Sequence, residues 1–251
     1  MDLEEKGSKD LNVKRRKKTL VFSIVIPSFN SQNLLLRCLE ALEIQSASKT
    51  EFEVIISNDG STDQTAEQVR LLPQNDISTI TLLQHKHNLG KGMALRTGFA
   101  YALSNGFDIV VTMDTDGQHD AADLPRFLSE FRRRSRKNPI DILVGSRTLS
   151  AHNSSMPLHR RLNNWLVSTV GSQLCGQRVS DFQSGFRLIR STVLKKVKLE
   201  TVRYETESEL LIKAGLLGFR IHTLPISVIY GDETSYIRAG REIWLFTKLL
   251  I

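Results

Sequence analysis

Cysteine is scarce in this chain of 251 residues, which has only Cys38 and Cys175. The two lie far apart in sequence, in segments with a helical pattern, and neither belongs to a CxxC pair or to a Cys/His cluster. A disulfide framework and a metal site built on sulfur are therefore disfavoured. The scarcity of cysteine indicates a reduced, cytoplasmic setting.

Long apolar runs are missing as well. No stretch approaches the run of about 18 apolar residues that a membrane-spanning helix needs, and the polar N-terminus lacks the apolar core of a signal peptide. We therefore expect a soluble protein, or one held peripherally at the cytoplasmic membrane face. Residues 243–251 are mostly apolar and contain an aromatic pair. Three interpretations of this segment stay open: a core helix, an interfacial anchor, or truncation of a longer protein.

Two common nucleotide-binding motifs are also absent. Gly90, Gly92 and Gly98 lack the spacing of the dinucleotide fingerprint GxGxxG, and no GxxxxGK[ST] phosphate loop occurs in the chain. Both motifs bind phosphates through glycine backbone at a helix start, so their chemistry depends on that spacing. A hydride-transfer enzyme and a P-loop ATPase are therefore disfavoured.

Positive charge is in excess, with 34 Lys and Arg against 27 Asp and Glu and a net charge of +7. Residues 14–18 are all basic, and few apolar residues occur among 1–18, so we expect 1–18 to form a disordered basic tail. Basic patches attract the phosphates of a nucleotide, a nucleic acid or an anionic membrane, and charge alone does not choose among them. No zinc, helix-turn-helix or other nucleic-acid module is recognisable, so we expect no nucleic-acid partner.

Short β-branched runs alternate with helical patterns as far as residue 144. The predicted strands cover 20–27, 52–57, 78–83, 108–113 and 141–144. The predicted helices between them cover 31–45, 63–72, 91–104 and 122–136. Such alternation predicts an α/β fold with a mostly parallel sheet and helices on both faces. Beyond residue 145 the alternation stops, and we expect helices around 159–174 and 205–217 and strand-like segments at 219–225 and 226–230.

Two carboxylates and an amide follow the fourth predicted strand at a spacing of two: Asp114, Asp116 and Gln118. Because side chains alternate along a strand, residues i, i+2 and i+4 leave its end in the same direction. Three oxygen ligands on one side suit a hard divalent cation, and Mg²⁺ and Mn²⁺ keep positions open for substrate phosphates. The pattern favours a metal-dependent transferase with a diphosphate donor, although Asp-x-Asp pairs also cap turns without any metal.

Polar clusters follow two other predicted strands, at 27–30 and 58–63. Ligands of open α/β sheets bind at the carboxyl ends of the strands, near a switch in strand order. We therefore expect the ends of the first, second and fourth strands to face one crevice.

These clusters resemble the motifs of the family-2 glycosyltransferases, especially the branch of dolichyl-phosphate mannose synthase and polyprenyl-phosphate sugar synthases. The segments that carry the resemblance are 24–30, 58–63, 88–92, 114–119, 145–147 and 180–187. The resemblance implies a GT-A type fold in one domain over 19–251, with a nucleotide-sugar-binding half at 19–147 and an acceptor-side half at 148–251. It also implies inverting transfer of a sugar from a GDP- or UDP-sugar to a polyprenyl phosphate, with Mg²⁺ or Mn²⁺. The alternative is a transferase of the same fold with a hydroxyl acceptor.

The resemblance also implies the nucleoside pocket. Pro27, Phe29 and Asn30 would line it, Asp59 would bond the base or the ribose, and Gly60 would let the backbone approach the ligand closely. The segment around Asp59 also fits a turn followed by an N-capped helix, and both interpretations can hold together.

For the donor diphosphate, the resemblance implies Lys91, Asp114, Asp116 and Gln118. Lys91 would steady phosphate from a helix start, unless it is an exposed surface lysine. Asp114, Asp116 and Gln118 would match the metal and diphosphate positions, with Asp116 the surest ligand and a catalytic residue. His119 either touches the diphosphate or is a structural histidine.

On the acceptor side, the resemblance implies that Arg147 and Arg160 grip the phosphate, because planar guanidinium groups bind phosphate bidentately. Asn164, one helical turn beyond Arg160, and Ser184 would complete this acceptor-phosphate site. Arg161 is the register alternative to Arg160.

Asp181 is the second catalytic candidate. A polyprenyl phosphate has a second pKa of about 6 and is mostly dianionic at neutral pH, so it needs no strong base. A hydroxyl acceptor would instead need a carboxylate to accept its proton. Asp181 is then the candidate base, with Glu205 second.

The sequence departs from this branch in three places. Ser31 stands where Glu is usual and Asn58 where Asp is usual, which leaves the identity of the nucleotide base open. The branch's further C-terminal phosphate-binding arginine has no clear counterpart, and Arg238 is a weak substitute.

Overall fold

Strand and helix alternate from residue 22 to residue 146, as the hydrophobic pattern predicts. The computed structural model describes residues 21–46, 52–72, 79–115, 120–137, 139–149 and 158–227. Its strands are β1 (Phe22–Ser28), β2 (Phe52–Asn58), β3 (Ile80–Gln84), β4 (Ile109–Thr112), β5 (Ile142–Ser146), β6 (Arg187–Arg190) and β7 (Ile221–Pro225). Its helices are α1 (Gln32–Ser46), α2 (Thr65–Leu71), α3 (Lys91–Ser104), α4 (Asp123–Lys137), α5 (Leu158–Cys175), α6 (Ser191–Lys196) and α7 (Glu205–Leu216).

In the second half, the predicted helices are confirmed as α5 and α7, and the first strand-like segment is confirmed as β7. The pattern did not predict β6 or α6, because β6 has only two apolar residues between two arginines and α6 has six residues, too few in each case for a hydrophobic period to show. Ile226 and Ser227 belong to no strand, and 228–230 lie outside the described residues. The predicted basic tail and the apolar segment 243–251 lie outside them as well.

Within the described ranges the sheet has seven strands, in the order β3-β2-β1-β4-β6-β5-β7. β1 pairs in parallel with β2 and β4, β2 with β3, and β5 with β7, so the prediction of a mostly parallel sheet is confirmed. β6 is the exception and runs antiparallel to both β4 and β5. Arg187 at the start of β6 lies opposite Thr112 at the end of β4. The preceding loop, residues 180–186, is therefore delivered to the carboxyl end of β4.

Two apolar cores lie on opposite faces of the sheet. Ile24 and Ile26 face one core, and Val25 between them faces the other. Helices α1 and α4 pack on the first core through Leu35, Leu39, Phe127 and Phe131. Helices α3, α5 and α7 pack on the second through Leu95, Phe99, Val167, Leu210 and Leu211. Burial of one such side chain stabilises the fold by about 1.5 to 3 kcal/mol, and the two cores together confirm helices on both faces.

Strand order switches at β1, which has β2 and β3 on one side and β4 on the other. In open α/β sheets this switch leaves a crevice beyond the carboxyl ends of the strands, where ligands bind. The carboxyl ends of β2, β1 and β4 lie side by side here, as predicted. The loops that follow these strands supply the candidate site.

Candidate active site

Hydrogen bonds tie together the loops that follow β1 and β2. The backbone N–H of Asn30 donates to Ser61 Oγ at 2.9 Å, and Asn30 Oδ1 accepts from the N–H of Thr62 at 2.8 Å. The N–H and the hydroxyl of Ser61 both donate to Asn58 Oδ1, at 3.1 and 2.5 Å. Asn58 therefore closes the turn through its amide oxygen, which accepts hydrogen bonds as a carboxylate oxygen would.

Three residues of the predicted nucleoside pocket lie where β1 ends. Pro27 is buried inside the strand, whereas Phe29 and Asn30 are exposed just beyond it. Asn30 has a φ of 47°, a left-handed conformation that Asn tolerates better than most residues. Its bonds to Ser61 and Thr62 hold this end of the strand beside Gly60, so Phe29, Asn30 and Gly60 lie on one rim of the crevice, with Pro27 buried behind them.

Gly60 has a φ of 70°, and a Cβ added to it would lie 2.4 Å from the carbonyl carbon of His87. We expect Gly60→Ala to lower the free energy of unfolding by more than the roughly 1 to 3 kcal/mol of a left-handed φ alone, because the added methyl meets fixed backbone. Gly106→Ala is the matched control, since Gly106 has a φ of 76° and open space around its Cβ position. Urea unfolding of both variants measures the difference, and equal losses would contradict a steric role for Gly60.

Asp59 is buried and binds the loop that leads into α3. Its carboxylate lies 2.7 Å from His85 Nδ1 and accepts the backbone N–H groups of Leu89 and Gly90 at 2.9 and 2.7 Å. His85 is held from its other side by Thr97, 2.9 Å from Nε2. These contacts set the position of Lys91, the next residue along the chain. Direct bonding of Asp59 to the base or ribose stays a prediction.

Lys91 is the first residue of α3 and lies between two carboxylates. Its Nζ is 2.8 Å from Asp114 Oδ1 and 3.1 Å from Glu207 Oε2. Burial opposes its charge, but the charges of Asp114 and Glu207 outweigh burial and raise the pKa of Lys91 above its ordinary value. The side chain is 18 % exposed, so the interpretation as an exposed surface lysine is wrong. A permanent cation therefore stands at the carboxyl end of β4.

Two glycines allow this close packing. A Cβ on Gly92 would lie 1.8 Å from Thr206 Oγ1, and a Cβ on Gly185 would lie 2.2 Å from Asp114 Oδ2. The first allows the start of α3 to approach the start of α7, and the second allows the loop before β6 to lie against Asp114. A side chain at position 92 would also meet the backbone carbonyl of Arg203 at 2.6 Å, and one at position 185 would displace the Asp114 carboxylate from its present position.

On the acceptor side, Arg147, Asn164 and Asp181 form one buried cluster. Arg147 donates from Nε and Nη2 to the two oxygens of Asp181, at 2.9 and 3.0 Å, and its backbone N–H also donates to Oδ2 at 3.1 Å. Asn164 donates to Oδ1 at 3.1 Å. Burial alone would raise the pKa of Asp181, yet the Arg147 guanidinium outweighs it and holds that pKa below its usual range. Asp181 is thus a fully buried, ionised carboxylate.

The structure describes only some of the other residues predicted to bind the acceptor phosphate. Ser184 is fully buried, and its hydroxyl accepts the N–H of Phe186 at 3.3 Å. Arg160 lies in the first turn of α5, where its side chain is outside the described residues. Arg161, the register alternative, is exposed. Phosphate contact by these residues stays a prediction.

Sequence reasoning missed Arg187, which joins the two clusters. The guanidinium is 1 % exposed and donates to three backbone carbonyls, those of Ser184, Glu207 and Phe182, at 2.8, 2.6 and 2.7 Å. Burial lowers the pKa of Arg187, and the charges of Glu207, Asp114 and Asp181 act in the opposite direction. One buried cation thus connects the acceptor-side loop to α7 and lies in the field of both clusters.

Glu207 was missed as well. Glu205, Glu207 and Glu209 recur at a spacing of two in α7, and a helical period of 3.6 does not show which of them faces inward. The structure buries Glu207 and Glu209 and leaves Glu205 partly exposed. A buried carboxylate needs a partner, so the signal available in the sequence was three glutamates in the first turns of a helix that has only one lysine, Lys213, among its 12 residues.

Part of the predicted metal site lies outside the described residues, namely Asp116, Gln118 and His119. Within the described ranges, no group of three His, Cys, Asp or Glu side chains could hold a metal ion. Asp114 is described, and its carboxylate already contacts the Lys91 ammonium at 2.8 Å. This part of the crevice therefore accommodates positive charge next to an oxygen donor of the type that Mg²⁺ and Mn²⁺ prefer.

Comparison with known families agrees with this geometry. The family model for Glycosyl transferase family 2 matches residues 23–198, from β1 through α6. The chain belongs to this family. It is therefore a glycosyltransferase, and the α/β architecture described above is that of the GT-A fold. Glu207 and α7 lie beyond the matched segment.

Several relatives have a polyprenyl phosphate in their names, and two of them match most of the chain. The chain is 30 % identical over 223 residues to UDP-N-acetylglucosamine–dolichyl-phosphate N-acetylglucosaminyltransferase of Methanococcus voltae, covering 83 % of this chain and 86 % of the relative. It is 27 % identical over 209 residues to undecaprenyl-phosphate mannosyltransferase of Micrococcus luteus, covering 82 % of each.

Among solved structures, the chain is similar to glucosyl-3-phosphoglycerate synthase of Mycobacterium tuberculosis in complex with Mn²⁺, UDP and phosphoglyceric acid. The TM-score is 0.65 with 18 % identity, over 92 % of this chain and 78 % of the other. At this identity the likeness shows the shared GT-A fold. Among the described helices of this family-2 enzyme, none is long and apolar enough to cross a bilayer.

Proposed function

We propose that this enzyme transfers a sugar, with inversion, from a GDP- or UDP-sugar to a polyprenyl phosphate, with Mg²⁺ or Mn²⁺ bound. The observation that carries the choice of acceptor is the state of Asp181. A base must accept a proton, but Asp181 is ionised, fully buried and held by Arg147 and Asn164, and its pKa is lowered. Such a carboxylate is a poor base for a hydroxyl acceptor, whereas a phosphate dianion needs none.

On the donor side, Phe29, Asn30 and Gly60 would form the rim that receives the nucleoside, with Pro27 and Asp59 buried behind it. Lys91 would bind diphosphate oxygens, because its charge is permanent and it stands at the start of a helix of 14 residues. Phosphate would then compete with Asp114 and Glu207 for the ammonium.

Asp114, Asp116 and Gln118 are the residues that would hold the metal ion. When bound, the ion would neutralise the negative charge of the departing nucleotide diphosphate. Lys91 contributes positive charge to the same place from the protein itself, next to Asp114. The donor set of carboxylates and an amide oxygen fits a hard cation.

On the acceptor side, Arg147 and Arg160 would bind the acceptor phosphate, with Asn164 and Ser184 beside them. Asp181 fixes the plane of the Arg147 guanidinium through two parallel bonds, and such bidentate pairing gives geometric specificity. We therefore assign Asp181 a positioning role with a phosphate acceptor. It would be the base only with a hydroxyl acceptor.

Incubation of the purified enzyme with radiolabelled UDP- and GDP-sugars, Mn²⁺ and polyprenyl phosphate tests the proposal. We expect label from one of these donors to enter the organic phase, and chelation by EDTA to abolish the transfer. Sugar polymers and glycolipids with free hydroxyl groups serve as competing acceptors in parallel reactions. Label that enters only those acceptors would reject the polyprenyl phosphate and favour the hydroxyl alternative.

A further inference from the structure

Helix α5 presents two chemically opposite faces. Asn164, Val167 and Ser168 are buried and turn toward the sheet and Asp181. Leu162, Trp165 and Leu166 are 63 %, 62 % and 38 % exposed. At 3.6 residues per turn these three side chains form one stripe on the side opposite the buried face. Single exposed apolar residues are ordinary on a protein surface, but a contiguous stripe that includes a tryptophan indicates a surface that binds something apolar.

The segment of chain that contains this stripe carries charge of one sign. Between residues 142 and 180 the chain has no Asp or Glu, and its only charged residues are Arg147, Arg160, Arg161 and Arg178. More than half of the net charge of +7 therefore comes from this segment. Arg161 and Arg178, near the two ends of α5, are exposed. Basic residues flanking an apolar stripe with tryptophan are typical of a helix that lies on an anionic lipid surface.

The stripe is also placed at the acceptor side of the enzyme. Asn164, on the inner face of the same helix, donates to Asp181, which holds Arg147. Leu149, two residues beyond Arg147, is itself 50 % exposed. Docking of α5 on a bilayer would therefore bring the acceptor cluster to the level of lipid phosphates, where a polyprenyl phosphate carries its reactive group.

From these observations we propose that the outer face of α5, made of Leu162, Trp165 and Leu166, docks onto an anionic phospholipid bilayer. Arg161 and Arg178 contact the headgroups, and Trp165 lies at the interface, where tryptophan is enriched in membrane proteins. The docking presents the acceptor cluster to lipid phosphates in the bilayer. This inference rests on the proposed function for its purpose, but lipid binding can be measured without any turnover.

Co-sedimentation of the full chain with phosphatidylcholine vesicles, with and without phosphatidylglycerol, tests the docking directly. We expect binding to the anionic vesicles and a loss of at least about tenfold in partition coefficient for the L162S/W165S double variant, because the apolar contact is removed. The matched control is I44S/L71S: Ile44 and Leu71 are 71 % and 75 % exposed and lie on α1 and α2, on the other side of the sheet. This control is expected to bind within about twofold of the wild type.

Two further measurements locate the contact. In a W244F background Trp165 is the only tryptophan, and its emission is expected to shift to the blue on addition of anionic vesicles. An R161Q/R178Q variant is expected to lose the preference for phosphatidylglycerol and the sensitivity of binding to salt. An unshifted Trp165 emission, or an unchanged preference, would overturn the assignment of this face.

Activity separates failure of docking from failure of the proposed function. With a short, water-soluble polyprenyl phosphate, the turnover of L162S/W165S is expected to be within about twofold of that of the wild type. With a long polyprenyl phosphate in vesicles, its turnover is expected to be about tenfold slower than that of the wild type. If the wild type glycosylates neither acceptor, the proposed function fails while the vesicle assay still tests docking.

Unchanged vesicle binding by the double variant would overturn docking. So would a concentration-dependent dimer of the wild type that L162S/W165S abolishes, since the stripe would then bind a second copy.

Discussion

Replacement of Asp116 by alanine is expected to reduce sugar transfer at least about a hundredfold, a loss of roughly 2.7 kcal/mol in transition-state stabilisation. Asp116 is the surest ligand of the proposed metal ion, and it follows Asp114 by two residues at the end of β4. Neutralisation of the departing diphosphate by a metal ion contributes several kcal/mol in enzymes of this kind. Initial rates at saturating donor, measured over a series of Mn²⁺ concentrations, give both the loss and the apparent metal affinity.

Asp120→Ala is the matched control, because it removes the same charge from the same connection between β4 and α4. Asp120 accepts the N–H of Ala122 at 2.9 Å and serves the turn that precedes α4. We expect its loss to leave transfer and Mn²⁺ dependence nearly unchanged. Undiminished turnover of Asp116→Ala, or a rate that chelators do not affect, would mean that no metal ion acts at this place.

The second large effect is expected from Asp181→Asn, which keeps the shape of the side chain and removes its charge. Arg147 would then be left with an amide in place of the carboxylate that now accepts three of its hydrogen bonds. Removal of one partner of a buried ion pair costs about 3 to 5 kcal/mol of stability. In addition, the released guanidinium loses its fixed orientation, so we expect the KM for the lipid acceptor to rise more than the KM for the nucleotide sugar.

The stability difference between wild type and Asp181→Asn should also depend on pH. Because the pKa of Asp181 is lower in the folded protein than in the unfolded chain, its contribution is fully present above the unfolded pKa of about 3.9. It is lost as the pH falls through the folded pKa. Urea unfolding should therefore show a large difference at pH 7 that shrinks once the pH drops below about 4.

Asp141→Asn provides the comparison for this experiment. Asp141 is 25 % exposed and lies 3.9 Å from Arg190 Nε, and ion pairs near the surface contribute only about 0 to 1 kcal/mol. A small loss for Asp141→Asn beside a large one for Asp181→Asn would support the buried cluster. If both variants lose equally little stability, the Arg147–Asp181 pair does not organise the acceptor side.

The α/β alternation could be predicted because local patterns report it. β1 and β2 are seven residues long, each with a run of three β-branched apolar residues at its centre, 24–26 and 54–56, and the polar residues that follow these runs mark where each strand ends. The motif around Asp114 could be found for the same reason, since its spacing of two is a property of an extended chain leaving a strand. Both inferences need only neighbours in sequence.

Arg187 illustrates what could not be predicted. It belongs to a recognised motif, but the motif does not show where its three carbonyl partners are. Two of them lie in the loop that precedes it, and the third belongs to Glu207 of α7, 20 residues further along the chain. Nothing in a four-residue strand indicates that it will run antiparallel between β4 and β5. Lys91 is a similar case: the sequence left a phosphate ligand and a surface lysine equally open, and only the approach of Asp114 and Glu207 excluded the surface role.

The order of elements as far as β5, the family and the carboxylates that follow β4 can thus be read from the sequence, because each is encoded in short-range spacing along the chain. Long-range packing alone places Arg187 between the donor and acceptor clusters, makes Lys91 a partly buried cation between two carboxylates and turns Leu162 and Trp165 outward. The reason is physical: the cost of burying a charge depends on what surrounds it in three dimensions. Residues from strands and helices far apart in sequence provide those surroundings.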